Sequence, residues 1–284
     1  MPSRLIPPAV AVALALLADA PALAQTQGTL QARYTGSLAG IPLGRATWTV
    51  ELSGDQYTAA AAGKVSGLLQ VFASGQGAVE AKGTVNGGKP VTATYASNVV
   101  SDKKLDTVRI AVAAGTVKDF SAEPPLVPAP DRVPVTEAHR RGVVDPMSAT
   151  LMPVAGNGNP LKPEACNRTL AIFDGRGRFD IALSYKRMER VRSEQGYDGP
   201  VVVCMVKYRP VSGHRANRWA IRYLMESRDI EVALAPIGDT RVLIPYRISV
   251  PTTLGVAVLE ATHFVTSSEH ARHGSVPAHA ETTF

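Results

Sequence analysis

Leu43-Gly-Arg-Ala-Thr-Trp-Thr-Val-Glu-Leu52 repeats with a period of two, which places Trp48 and Val50 on one face. That period is the mark of a half-buried β-strand. Ser53-Gly-Asp55 then turns the chain into Gln56–Val65, and Leu38–Pro42 turns it back into Thr29–Ser37, another alternating run with Tyr34. Downstream, Leu68–Val85 reads as strand interrupted by Gly75, Gly77 and Gly83. Asn86-Gly-Gly88 is a hairpin signal, followed by Val91–Val100 and Leu105–Ala113. Strands at this spacing with turn punctuation predict an antiparallel meander, and the many Ala, Gly, Thr and Ser residues suit a tightly curved sheet.

The second half repeats the pattern after an interruption. Glu123–Pro134 holds five prolines and reads as an extended connector between two halves, since proline is excluded from central strands and helix interiors. Asp145-Pro-Met-Ser-Ala-Thr-Leu-Met152 predicts a short helix, capped by Asp145, with Pro146 at its first position and Pro153 ending it. Met147, Leu151 and Met152 are expected on its buried face. Strands are expected at Arg168–Phe173 and Phe179–Arg192, around the turn Asp174-Gly-Arg-Gly177, and at Val201–Pro210. A second short helix is expected within His214–Ser227, followed by strands at Asp229–Ala235, Thr240–Val250 and Leu254–Thr266. Residues 267–284 read as a polar tail.

The chain has 284 residues, 45% hydrophobic and 19% charged, with a net charge of +6. This is too apolar for a disordered chain. Met1–Ala24 has a basic start at Arg4, an apolar run from Leu5 to Ala18 and an Ala22-Leu-Ala24 end, the pattern of a cleavable secretory signal peptide. The apolar run is too short to span a bilayer, and no later segment is long and apolar enough to do so. The expectation is a protein exported to the periplasm, one domain over 25–266, with no transmembrane segment and no nucleic-acid partner.

Export favours oxidation of Cys166 and Cys204, the two cysteines of the chain. One structural disulfide is the expectation, and two free buried thiols are the alternative.

Chemical motifs are sparse. Gly-x-Ser-x-Gly, His-Glu-x-x-His, a P-loop and an EF-hand loop are missing from the sequence. Ser101-Asp-Lys-Lys104 matches Ser-x-x-Lys but falls in an expected turn. Glu269, His270 and His273 would meet a metal only if the tail were helical, and its Gly274 and Pro277 argue against that. No catalytic residue, metal site or cofactor is assigned. The charge is uneven, with thirteen basic against six acidic residues over Pro160–Tyr223. Within it, Arg176, Arg178, Arg187, Arg190, Lys207 and Arg209 are candidates for a surface that holds an anionic envelope component or an envelope protein. The competing reading is a solvated face neutralised by Asp174, Asp180 and Glu189.

Five stretches resemble a family of exported proteobacterial proteins known as domain of unknown function 3108. They are Tyr34 with Gly40-Ile-Pro-Leu-Gly44, Gly142-Val-Val-Asp-Pro146, Phe173-Asp-Gly-Arg-Gly-Arg-Phe-Asp180, Leu234-Ala-Pro236 and Leu243-Ile-Pro-Tyr-Arg247. The architecture also looks like that of alphaproteobacterial envelope-integrity proteins, whose β-sheet spirals around a helix and is closed by one disulfide. Neither resemblance supplies catalytic residues, and fold alone does not give function.

Taken together, these features predict a mainly β fold, a long antiparallel sheet forming a spiral or incomplete barrel around the Asp145–Met152 helix. The expected role is non-catalytic binding or scaffolding that supports the cell envelope. Two alternatives stand beside it. A carrier of lipid or another apolar ligand requires an apolar cavity, and an envelope-acting hydrolase requires Asp145, His139 and Asp180 to converge.

Overall fold

The computed structural model describes residues 27–66 and 75–269. The leader at 1–24, the Leu68–Ser74 part of one expected strand, and His270, His273 and His279 lie outside the described residues. The first half forms β1 (Gln27–Leu38), β2 (Ile41–Ser53), β3 (Gln56–Val65), β4 (Gly75–Asn86), β5 (Lys89–Ser101), β6 (Lys104–Ala113) and β7 (Thr116–Glu123). The second half contributes the two-residue β8 (Met152–Pro153), β9 (Arg168–Phe173), β10 (Arg178–Arg192), the two-residue β11 (Gln195–Gly196) and β12 (Asp198–Ser212). One α-helix, α1 (Trp219–Glu226), precedes β13 (Glu231–Pro236), β14 (Val242–Thr252) and β15 (Gly255–Glu269). The last strand runs three residues past the expected Thr266 boundary, because Ser267, Ser268 and Glu269 find register partners in Thr29, Gly28 and Gln27.

Thirteen of these strands build one antiparallel sheet in the order β7-β6-β5-β4-β3-β2-β1-β15-β14-β13-β12-β10-β9, with β8 paired to β14 and β11 paired in parallel to β15. Alternation decides what it encloses. Along β1, Leu30, Ala32 and Tyr34 are buried while Thr29, Gln31 and Arg33 are exposed. Trp48, Val50 and Leu52 of β2, Tyr57 and Ala59 of β3, Phe173, Tyr246 and Phe264 join the same inner core. Fully burying side chains of this size contributes roughly 1.5–3 kcal/mol each. The Tyr34 hydroxyl donates to the Pro245 carbonyl at 2.6 Å, so its polar end is satisfied inside the core. Gly83 allows the Tyr57 ring to approach, because a Cβ there would lie 2.5 Å from the Tyr57 oxygen and 2.1 Å from the Val91 carbonyl.

The Asp145–Met152 helix is not formed, and its place is taken by a single tight turn. Asp145 caps as expected, its Oδ1 accepting from the Met147 and Ser148 N–H groups at 2.8 and 2.9 Å. Only Ser148–Thr150 is helical, and that in the 3-10 form. The reason is competition. Met152 and Pro153 pair with Leu243 and Val242 of β14, and two turns between prolines are too short to hold as a helix without packing. The three apolar residues therefore do not share a face. Met147 and Leu151 enter the inner core, whereas Met152 joins a second core on the outer side of the sheet. In that second core, Met152, Val154, Ala165 and Cys166 cover Leu183, Val202, Cys204, Val232, Leu234 and Leu243. Cys166 and Cys204 stand at disulfide distance, with Cα atoms 5.5 Å apart.

The sheet is not closed into a barrel by pairing of its edges. Instead, residues 141–144 run between edge strands β7 and β9. Arg141 bridges to Thr116, and the Gly142 N–H donates to the Gly115 carbonyl at 2.7 Å. On the other side, the Val144 N–H donates to Ala171 and the Phe173 N–H to Val144, both at 2.9 Å. Phe120 of β7 and Phe173 of β9 meet edge to face with centroids 5.5 Å apart. Each of these two strand edges, which would otherwise invite foreign pairing, is thereby engaged at one end.

Candidate functional site

The six cations singled out in the basic segment do not gather into one open surface. Arg176 lies in the turn after β9, where Asp174 Oδ1 accepts from the Arg176 and Gly177 N–H groups at 2.9 and 2.7 Å. Its guanidinium reaches across the sheet ends to Asp106 of β6 at 2.9 Å and donates to the Pro124 carbonyl at 2.6 Å. Arg178 pairs with Asp180 at 3.3 Å. Arg187 binds Glu189 and Glu231, the latter at 2.9 Å, and Arg190 binds Asp198 at 2.9 Å. Arg187 faces Val203 and Arg190 faces Pro200 in register, so alternation sends them to opposite faces. Lys207 and Arg209 are exposed and form no ion pair among the described residues.

The Arg187 pairs belong to a network over β10, β13, β14 and β15. Lys186 and Arg187 hold Glu231, Arg187 and Arg247 hold Glu189, and Arg247 also meets Glu260 at 3.4 Å. Burial is the largest single effect on Glu189 and raises its pKa, but the Arg247 and Arg187 hydrogen bonds and charges together bring it below the ordinary carboxylate range. The hydrogen bond from Arg187 is the main cause that holds Glu231 low as well.

The three groups required by the hydrolase reading each have partners of their own. Asp145 is buried and accepts from Thr92 Oγ1 at 2.6 Å and from the Ser148 hydroxyl, which in turn accepts from Tyr57 at 2.6 Å. Burial raises the Asp145 pKa, with the Ser148 and Thr92 hydrogen bonds opposing it, and burial pushes the Tyr57 phenol up to about 12. His139 sits in an exposed 3-10 turn beside Thr136, and Asp180 is held by Arg178. No hydrogen bond or ion pair joins any two of Asp145, His139 and Asp180 among the described residues. The Thr92–Asp145–Ser148–Tyr57 chain instead pins the tight turn to β3 and β5.

A cleft lies on the outer face of the first-half meander. It has a volume of about 800 Å³ and is lined by Arg33 of β1, Arg45 and Thr47 of β2, Ala62 and Lys64 of β3, and His263 of β15, among others. Tight turns set the register. Because Gly54-Asp55 connects β2 to β3, Ser53 faces Gln56 and Arg45 falls directly opposite Lys64. Arg33 faces Thr47 on one side and His263 on the other. Like charges directly opposite across a ladder destabilise a sheet. Yet Arg33, Arg45 and Lys64 form no ion pair among the described residues, and Glu194 is the carboxylate lining the cleft. A neighbouring depression of about 370 Å³ shares Thr47, Ala62, Ala78 and Asn98 with it and continues to Glu80 and Ala96. The two make one groove running across the strands, with a floor of small side chains that lets a ligand approach the sheet.

A second cleft, of about 630 Å³, opens at the seam between the sheet ends. It has apolar walls at Val91, Val144, Val154 and Leu170, with Arg168 at its rim. Burial lowers the Arg168 pKa, and its Nε donates to the Ala165 carbonyl at 2.9 Å.

Fold and groove define a mainly β protein with a filled interior and a cationic outer face. The chain belongs to the family described as protein of unknown function (DUF3108), whose model matches residues 31–262. Three of its recognisable stretches sit at structural joints, namely the β1–β2 turn, the 142–146 segment at the seam and the Asp174–Gly177 turn. Comparison with curated proteins gives no match. Among solved structures, the chain is similar to the crystal structure of a beta-barrel-like protein of domain of unknown function DUF1849 from Brucella abortus. The identity is 8% and the TM-score 0.47, over 86% of this chain and 98% of that one.

Proposed function

We propose that this protein is an exported, non-catalytic component of the periplasm that supports the cell envelope by holding an anionic envelope component in the outer-face groove. The observation that carries this reading is Arg45 set opposite Lys64 with Arg33 beside them, three cations that form no ion pair among the described residues. A sheet retains such an arrangement at a cost in stability, which an incoming carboxylate or phosphate offsets by bidentate hydrogen bonding to arginine. The groove crosses several strands, so it suits a chain-like ligand such as the carboxylate-bearing polymer of the cell wall. Export is supported by the signal-like sequence at 1–24 and by a cysteine pair at disulfide distance. No helix among the described residues is long and apolar enough to cross a membrane.

The test is cosedimentation of the purified protein with cell-wall sacculi, paired with complementation of a deletion strain. The wild type is expected to sediment with sacculi, and a double Arg45→Glu, Lys64→Glu variant to stay in solution and fail to restore detergent resistance. Equal sedimentation of both proteins, or a deletion strain with normal resistance to detergents and cell-wall antibiotics, would sink the proposal. The carrier alternative rests on the apolar seam cleft, since the sheet interior is filled by Tyr34, Trp48, Tyr57, Phe173 and Phe264. An extra mass in native mass spectrometry of protein purified from its own cells, lost on denaturation, would favour it.

A further inference from the structure

Helix α1 leaves two large apolar side chains, Trp219 and Met225, in solvent. An eight-residue helix is too short to persist in water without packing, and a surface helix ordinarily hides its apolar stripe against the core. Ala220, Ile221, Tyr223 and Leu224 of α1 are half-buried and none of its residues is fully buried, so Trp219 and Met225 are the apolar side chains it leaves in solvent. Trp219 is 62% exposed and Met225 44% exposed, and Met205 of the neighbouring β12 is 38% exposed. The Trp219 and Tyr223 rings meet edge to face one turn apart, with centroids 6.4 Å from each other.

The charges around this apolar patch are equally distinctive. Arg218 and Arg222 lie one turn apart on the outward side with Met225, since helix spacing brings positions three and four apart together. Neither guanidinium enters an ion pair among the described residues, and the same holds for Arg228 and Lys207. Elsewhere in the second half, Arg187, Arg190, Arg192, Arg215 and Arg247 all find carboxylates. Lys207, Arg228, Met205 and Met225 together line a depression of about 750 Å³ between β12 and the end of α1, where Glu226 and Asp229 are the acidic residues.

We propose that α1 and the adjoining part of β12 form a docking surface for an anionic lipid membrane. Trp219 and Met225 enter the headgroup boundary, while Arg218, Arg222, Arg228 and Lys207 meet lipid phosphates. Indole suits that boundary because its ring is apolar and its N–H is polar, and the Met225 side chain adds apolar area beside it. Excess unpaired cations beside them supply the charge complementarity that draws a short amphipathic helix to an anionic leaflet. This face is separate from the outer-face groove, because β13, β14 and β15 lie between β12 and β1 in the sheet. The inference therefore stands whether or not the groove binds a wall polymer.

The test uses the full mature chain and two kinds of vesicle, phosphatidylglycerol mixed with phosphatidylcholine, and phosphatidylcholine alone. The chain has two tryptophans, and Trp48 is buried in the core, so a change in tryptophan emission on vesicle addition reports Trp219. The expected result is a blue shift with the anionic vesicles, absent with the zwitterionic ones and absent in Trp219→Phe. Flotation of a double Arg218→Glu, Arg222→Glu variant with anionic vesicles is expected to weaken about tenfold or more, while Arg45→Glu, Lys64→Glu floats like the wild type. Both double variants change exposed side chains, and their melting temperatures check that the fold persists. Equal binding to both vesicle types, no binding to either, or loss of flotation in the Arg45→Glu, Lys64→Glu variant alone would overturn the proposal. Competition by soluble heparin with no emission shift on vesicles would overturn it too, in favour of a site for soluble polyanions.

Discussion

The Arg176 guanidinium and the Asp106 carboxylate lie 2.9 Å apart, and through them the turn that follows β9 is fastened to β6. The same side chain donates to the carbonyl of Pro124, just past the end of β7. Arg176 thus spans the gap that β7 and β9 do not close by pairing. Replacing it with Met removes two hydrogen bonds made by a charged donor, for an expected loss of about 2 kcal/mol in urea unfolding. Amide exchange is expected to quicken in β7 and β9 above all. Uniform exchange across the sheet would show that the apolar seam holds without this clasp.

The Cys166–Cys204 pair closes a separation of 38 residues. The chain-entropy model assigns a bridge of that size about 4 kcal/mol. Replacing both with Ala is expected to lower the unfolding midpoint and to loosen residues 152–166, which cover the second core, before the inner core responds. Mass spectrometry of exchange-labelled fragments would reveal whether the loosening is local, as expected, or global.

Asp145 carries a pH signature. Its pKa is raised by burial in the native state, so the folded chain binds the proton more tightly than the unfolded one. Its contribution is greatest below the ordinary Asp value of about 3.9 and declines as pH rises through the raised native value. Asp145→Asn removes that slope. The stability advantage of the wild type over this variant should shrink as pH increases from about 4 toward neutrality, as read by chemical unfolding. A difference that stays constant with pH would show that the carboxyl does not titrate in this range.

Glu189 and Glu231 act with the opposite sign. Both are held below their ordinary values in the folded state, so their contribution is present above about pH 4.3 and lost as pH falls through the depressed native values. Arg247→Met strips Glu189 of one partner and should flatten the acid limb of the stability profile while lowering the plateau near neutrality. An unchanged acid limb would place the acid sensitivity in other carboxylates.

The meander was legible because its strands alternate and its turns carry Gly and Asp. Gln56–Val65 and Arg168–Phe173 have the bounds read from the sequence. β7 was not anticipated. It is short, lies at the sheet edge and carries Lys118 and Asp119 at exposed positions, so its apolar signal is weak. In the Asp145–Met152 segment the local signals favour a helix, whereas the partner that overrides them, β14, lies some ninety residues further along the chain. The cationic cluster of the outer-face groove escaped notice for a related reason. Arg33, Arg45 and Lys64 are scattered, and each alone resembles an ordinary solvent-facing residue. The signal was nonetheless available, since a two-residue turn at Gly54-Asp55 fixes Arg45 opposite Lys64. In the basic segment, Asp180 and Glu189, which the competing reading names, pair with Arg178 and Arg187 within β10, whereas Glu231 and Asp198 come from β13 and β12, and a count of charges without register does not show them.

The register of β1 against β15 sets Gln27 opposite Glu269, so the first described strand waits for the last. A chain that emerges from its N-terminus can fold hairpin by hairpin from β1 to β7, yet one edge of β1 stays open until β15, which begins some two hundred residues after β1 ends, has followed. The Tyr34 hydroxyl likewise lacks its acceptor until Pro245 arrives. Contacts so far apart in sequence slow folding, and an unpaired strand edge exposed for that interval is a template for pairing with other chains. Completion of this sheet is therefore a matter of timing, and a chaperone that shields the β1 edge during the wait would raise yield without altering the final stability.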